Sequence, residues 1–137
     1  MLNKEQIVAL IQKFDFDTSQ YWIAAGAAMV IYGIRDTAGD IDMGCTSEMA
    51  DKLQSLGYPI KILKDGSRHI LFNENIEIFE NWGEGGTVYV DGIPIVSIDK
   101  LIDMKYQIGR DKDLKDIDLI KEKYGNQTLW RQNNETA

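Results

Sequence analysis

The sequence predicts a single α/β or α+β domain built on a mixed β-sheet. Three observations lead there. Up to Leu56, short apolar runs alternate with segments of helical periodicity; from Ile60 to Val96, short alternating runs are separated by turn signals; from Ser97 onward the helical period returns. With 137 residues and 44% hydrophobic content, the chain can bury one core and is too short for two ordinary domains.

The elements follow in order. Ile7, Leu10, Ile11 and Phe14 stand at helical spacing behind Asn3, with Gln6 placed to close a capping box, so a helix is expected from about residue 4 to 14. Tyr21-Trp22-Ile23-Ala24-Ala25 reads as a buried strand ending at Gly26, followed by a short helix from Ala27 to Tyr32 that Gly33 stops. The loop Arg35 to Gly39 feeds a second strand, Asp40 to Cys45, and Ser47 then caps a helix running to about Leu56. Ile60 to Leu63, Arg68 to Phe72 and Ile76 to Phe79 read as strands joined by tight turns. After the glycine-rich loop Gly83 to Gly86, Asp91-Gly92 marks a hairpin between Thr87 to Val90 and Ile93 to Val96, and Pro94 argues for an edge position for the latter. Two helices close the domain, one opened by Ser97 and reaching about Ile108, the other opened by Asp111 or Asp113 and reaching Tyr124. The domain is expected to span 1–125, with 126–137 a polar tail in which Leu129 and Trp130 could dock.

The charge balance is acidic, with 22 carboxylates against 15 Lys and Arg, which argues against a broad nucleic-acid footprint. An anionic substrate would then need a metal or a local basic pocket. Cys45 and His69 are the only residues of their types, which excludes an intrachain disulfide and a His- or Cys-rich zinc site. No apolar run approaches the roughly 20 residues that span a bilayer, and no signal peptide is evident, so a cytoplasmic protein without a membrane role is expected.

The chemistry concentrates on three acids. Asp40 and Asp42 are one residue apart in an expected strand, so both leave one face while Ile41 and Met43 leave the other. Two such carboxylates repel each other unless solvent or a cation relieves them. An isolated Asp-x-Asp is most simply the wet face of an edge strand. Gly26 adds weight, because a glycine at a strand-to-helix turn lets a phosphate approach the backbone where free N–H groups gather. Glu77 adds more: it repeats the pattern of an acid between apolar residues in a further strand. Three carboxylates on neighbouring strands suit Mg²⁺ or Mn²⁺.

Ala25-Gly26-Ala27-Ala28-Met29-Val30-Ile31-Tyr32-Gly33-Ile34-Arg35, followed by Asp40-Ile41-Asp42-Met43, resembles the signature of the DNA polymerase β-like nucleotidyltransferase superfamily, with 13 residues between Gly26 and Asp40. Lys105 and Gly109-Arg110-Asp111-Lys112-Asp113-Leu114 resemble the carboxy-terminal helices of small bacterial members related to the AbiEii toxin-antitoxin group. The resemblance implies a minimal nucleotidyltransferase fold, a mixed central sheet flanked by helices with two helices at the C-terminus. It also implies a magnesium-dependent, ATP- or other NTP-binding transferase that moves a nucleoside monophosphate to a hydroxyl acceptor. In that reading Asp40, Asp42 and Glu77 are catalytic and hold the metal, while Gly26, Ala27, Arg35 and Lys105 receive the nucleotide. The acceptor is left open among a protein side chain, an RNA end and a small molecule. Two positions depart from the pattern: Ala25 stands where a first glycine is common, and Glu77 where aspartate is commoner. A catalytically silent module, such as an antitoxin or regulatory partner of another protein, is the rival expectation, and an unrelated α/β domain with solvated edge acids is a third.

Lys105 falls inside the apolar stripe of Ile98, Leu101, Ile102 and Ile108, so it meets either an anion of the site or a structural partner such as Asp113. The alternating charges Arg110, Lys112, Asp113 and Asp116 read as a solvated turn, with Asp113 able to bond the preceding helix. His69 reads as a polar strand residue, Cys45 as a small buried hydrophobe, and Trp22, Trp82 and Trp130 as packing residues.

Overall fold

Asn3 opens the first helix as its side chain implies. In the computed structural model, which describes residues 1–125, the Gln6 amide donates to Asn3 Oδ1 and the Asn3 amide donates to Gln6 Oε1, both at 2.9 Å, closing the capping box over α1 (Lys4–Gln12). The polar tail at 126–137, with Leu129 and Trp130, lies outside the described residues. A two-residue strand, β1 (Leu2–Asn3), precedes α1 and pairs with β3 (Thr37–Ala38).

The main sheet has seven strands. In chain order they are β2 (Tyr21–Ala24), β4 (Ile41–Cys45), β5 (Ile60–Ile62), β6 (Arg68–Leu71), β7 (Ile76–Glu80), β8 (Thr87–Val90) and β9 (Ile93–Val96). In space they run β5-β6-β7-β4-β2-β9-β8, antiparallel except for the parallel pairs β4–β7 and β2–β9. The helices are α2 (Ala25–Ile31), α3 (Ser47–Ser55), α4 (Ile98–Ile108) and α5 (Asp111–Ile120), ending in a π-helical turn, Lys121–Gly125. The α+β class and the mixed sheet are therefore as expected.

Alternation sorts the sheet into two faces. Ile23, Ile41, Met43, Ile70, Ile76 and Ile78 are fully buried in one cluster with Ile7 of α1, Met29 of α2 and Leu53 of α3. The opposite face carries Ala24, Asp42 and Glu77 in one cross-strand row and Trp22, Gly44, Phe79 and His69 in the next. The first row is the chemically loaded one.

Several boundaries differ from the sequence expectation, each for a local reason. Thr46, not Ser47, caps α3, its Oγ1 accepting from the Met49 amide at 3.1 Å. Asp40 sits in the bend before β4 rather than inside it. β9 is not an edge strand: it lies between β2 and β8, and β5 and β8 form the edges. Pro94 is tolerated there because β9 pairs with β2 at one position only, Ile23 with Ile95, so the missing proline amide falls within a very short ladder. The Asp91-Gly92 hairpin is as expected, with φ of 51° and 80°.

The junction of β2 and α2 has no loop. Ala25 turns the chain there with φ of 52°, a left-handed conformation that costs a residue with a Cβ about 1 kcal/mol. The position where the resembled signature has a glycine is thus the position whose backbone favours one. Ala25→Gly is expected to raise stability by about 1 kcal/mol, read as an increase in urea midpoint at unchanged m. A fall in midpoint would refute the strain.

Candidate active site

Asp42 and Glu77 are direct partners across the parallel β4–β7 pair, and Asp40 precedes them at the mouth of the same face. Each of the three offers a carboxylate oxygen, and these oxygens all lie within 4.8 Å of one another. The Ile41 amide, which donates to the Asn75 carbonyl at 2.8 Å, ties the start of β4 to the start of β7 and so holds the acids together.

The electrostatics of this cluster are unfavourable as they stand. Burial, then the charges of Asp40 and Glu77 and the closeness of the Glu77 carboxylate, push Asp42 up to about 7, with Lys105 opposing by a smaller amount. Asp40 is raised as well, by burial first and the Glu77 charge second. Asp42 Oδ1 is buried with no hydrogen-bond partner. A buried, unpartnered carboxylate oxygen facing two further carboxylates is the donor set of a hard divalent cation, so the residues fit the magnesium or manganese that the sequence implies.

Two clefts share Ala25, Asp42 and Arg110 in their walls. The smaller, about 290 Å³, is lined by Gly26, Arg35, Asp40, Lys105 and Lys112 among others and gathers cations beside the acids. The larger, about 890 Å³, is lined by Leu63, Asp65, Phe79, Glu80, Trp82 and Ile108 among others, and is both aromatic and acidic. Asp42 stands where they adjoin. Glu80 on that second wall is ionised, held down to about 2 by the Arg68 guanidinium, which binds it through Nε at 3.0 Å and Nη2 at 2.6 Å.

Of the nucleotide-site expectations, Gly26, Arg35 and Lys105 line the smaller cleft, while Ala27 is buried and lines neither. A Cβ at Gly26 would stand 3.1 Å from Arg35 Nη1, a crowded contact that the guanidinium must yield to by a few tenths of an ångström. Lys105 is only 5% exposed, and it has a structural partner that the sequence did not single out while it also lines the smaller cleft. Its Nζ donates to Asp116 Oδ2 at 2.9 Å and lies 3.7 Å from Asp113 Oδ1. Arg35 Nη2 bonds the other Asp116 oxygen at 2.5 Å, and Arg110 Nε bonds Asp113 Oδ2 at 2.6 Å.

The solvated-turn reading of these charges is therefore corrected, since Asp113 and Asp116 are 1% and 7% exposed. Arg110 draws Asp113 below the usual carboxylate range, outweighing the effect of burial. The available signal was Lys105 itself: a lysine in an apolar stripe requires a buried acid. His69, read as a plain strand residue, lies against Glu77.

Gly44 was also missed. Trp22 Nε1 donates to the Trp82 carbonyl at 2.7 Å, and this clasp passes directly over Gly44. A Cβ at Gly44 would overlap both partners of that bond. Gly44→Ala is expected to cost about 2 kcal/mol and to loosen the Trp82 wall of the larger cleft, seen as a lower melting temperature and red-shifted tryptophan emission. Unchanged emission with unchanged melting would refute the close packing.

No model of a known protein family matches the chain, and no curated protein sequence matches it. Among solved structures, that of ANT(2'')-Ia in complex with adenylyl-2''-tobramycin superposes with a TM-score of 0.55, covering 91% of this chain and 89% of that one at 17% identity. The chain has a nucleotidyltransferase fold. The structure of the lincosamide antibiotic adenylyltransferase LnuA, lincomycin-bound, aligns with a TM-score of 0.49 over 84% of this chain and 92% of that one at 18% identity. Within the nucleotidyltransferase fold of this chain the three acids occupy the open face of the sheet, and none of the described helices is long and apolar enough to cross a membrane.

Proposed function

We propose that this protein is a nucleotidyltransferase that moves a nucleoside monophosphate from a nucleoside triphosphate to a hydroxyl acceptor. The observation that carries the reading is the convergence of Asp40, Asp42 and Glu77, with an unpartnered Asp42 oxygen, at the junction of two clefts in a nucleotidyltransferase fold. In the reaction the acceptor oxygen forms a bond to the α-phosphorus, the bond from that phosphorus to the bridging oxygen breaks, and pyrophosphate leaves.

Asp40 and Asp42, with Glu77, would hold one or two magnesium or manganese ions, which when bound neutralise phosphate charge and polarise the reacting phosphoryl group. The smaller cleft suits the triphosphate. Arg35, Lys105, Arg110 and Lys112 face it, the first three paired with Asp113 and Asp116 on the same wall, and the backbone at Gly26 lets phosphate oxygens approach closely. Arg35 and Lys105 act from fixed positions, since Asp116 holds both. Glu77 orients the acceptor hydroxyl and takes its proton.

The larger cleft, with Phe79 and Trp82 beside ionised acids, suits a small hydroxylated acceptor carrying positive charge. The structure of ANT(2'')-Ia was solved in complex with adenylyl-2''-tobramycin, which supports an acceptor of that kind here. A kinship with the AbiEii group rests on Lys105 and the segment 109–114 and is a narrower form of the proposal.

The test is direct. The protein is incubated with α-labelled ATP, CTP, GTP and UTP, Mg²⁺ or Mn²⁺, and panels of amino sugars, RNA ends and proteins, beside Asp42→Asn. Label transfer that Asp42→Asn abolishes is expected. Metal-dependent nucleotide binding without transfer to any acceptor would support the silent-module reading instead, and neither binding nor transfer would refute a nucleotide role.

A further inference from the structure

His69 lies on β6, the strand next to the β7 of Glu77, and nothing about its sequence neighbourhood marks it. In the β6–β7 pair it stands opposite Phe79, two residues beyond Glu77 on the same face, so it is the diagonal neighbour of the third acid. Its Nε2 lies 3.5 Å from Glu77 Oε1. That nitrogen is buried and has no hydrogen-bond partner, although its side chain is 15% exposed.

The ring is not free to seek another partner. It stacks on Phe79 with centroids 4.2 Å apart and planes 10° from parallel, and Phe79 packs in turn against Trp82 at 5.2 Å. A buried ring nitrogen left unbonded is costly, and the acceptor that it faces is the Glu77 carboxylate. A small rotation of the Glu77 side chain, which is 36% exposed, would bring the pair into hydrogen-bonding geometry. The donor is present both in the neutral tautomer that carries hydrogen on Nε2 and in the protonated ring, so the contact does not depend on charge.

We propose that His69 is a positioning residue for Glu77: it holds one carboxylate oxygen through Nε2 and leaves the other turned toward Asp40 and Asp42. The inference rests on the reading of these acids as a metal site. Carboxylates that ligate metals are commonly fixed by a hydrogen bond to their second oxygen, and Glu77 gains from this more than an aspartate would. Its extra methylene adds a rotatable bond that would otherwise scatter the carboxylate. Phe79 and Trp82 also line the larger cleft, so the same stack connects the setting of Glu77 with the wall against which an acceptor would lie.

The experiment measures Mn²⁺ binding directly, by titration calorimetry and by the electron paramagnetic resonance of free Mn²⁺, in the full chain without nucleotide. His69→Phe keeps a ring to stack on Phe79 and removes the donor; it is expected to weaken Mn²⁺ binding about 10- to 100-fold with little change in melting temperature. His69→Gln, which restores a donor, is expected to retain most of the affinity. If His69→Phe does not fold, the same comparison is made between His69→Ala and His69→Gln. Binding that Asp42→Asn abolishes but His69→Phe leaves unchanged would overturn the positioning role alone. A loss as large in His69→Gln as in the donor-free variant would also overturn it, because ring shape rather than a donor would then matter. Failure of the wild type to bind Mn²⁺, or binding indifferent to Asp42→Asn, would overturn the metal site and the positioning role together.

Discussion

Asp42→Asn is expected to lower nucleotidyl transfer by about 10³-fold or more while making the metal-free protein more stable at neutral pH. The two effects have one cause. Asp42 is pushed from 3.8 up to about 7 in the folded chain, by burial first and by Asp40 and Glu77 next. Between those values the folded state keeps a proton that the unfolded chain has released, so stability falls as pH rises from about 4 to about 7 and levels off above. Asp40, raised in the same direction, adds to the fall. Three pH units correspond to about 4 kcal/mol at most, and solvent access to the carboxyl reduces this to about 2 kcal/mol. Asparagine cannot ionise and removes the Asp42 part of the slope. Urea unfolding in EDTA at pH 4.5, 6 and 7.5 measures it, and equal slopes in wild type and variant would sink the explanation. A residue costly to the metal-free fold is then one that the proposed chemistry needs, as expected of a site that binds a cation.

Asp116→Ala is expected to be the most destabilising of the single changes considered, at about 3 kcal/mol or more. It removes the 2.9 Å partner of a lysine that is 5% exposed and, at the same time, the 2.5 Å partner of Arg35. Asp113, 3.7 Å away and already engaged by Arg110, cannot take over the whole charge. Adding Lys105→Met should recover part of the loss, because the buried charge goes with its partner; a double variant as unstable as the sum of the singles would contradict the coupling. Activity should fall further than stability requires, since Arg35 and Lys105 both lose their fixed positions beside the acids.

How much of this was legible in the chain depended on the range of the interaction. The capping box of Asn3 and Gln6, the Asp91-Gly92 hairpin and the face-sorting of Asp42 from Ile41 and Met43 are set by residues within a few positions of one another, and all three are found as read. The edge reading of Pro94 failed because a proline excludes only long ladders on its amide side, and the neighbour that β9 meets comes from Ile23, far back in the chain. Asp116 went unrecognised because alternating charge resembles a solvated turn until α5 folds back onto α4 and buries it.

By itself the sequence determined the order of the helices and of the seven main-sheet strands though not the short β1–β3 pair, the mixed sheet, the pairing of acids and apolar residues along β4 and β7, and the candidacy of Asp40, Asp42 and Glu77, because strand alternation and helix caps are local properties of the backbone. Only the tertiary structure decided that β4 and β7 are adjacent and in a register that sets Asp42 against Glu77. It alone brought Lys105 to Asp116 and laid His69 beside Glu77. The reason is physical: strand order and cross-strand register arise from burying one face of every strand at once, and no single segment carries that condition.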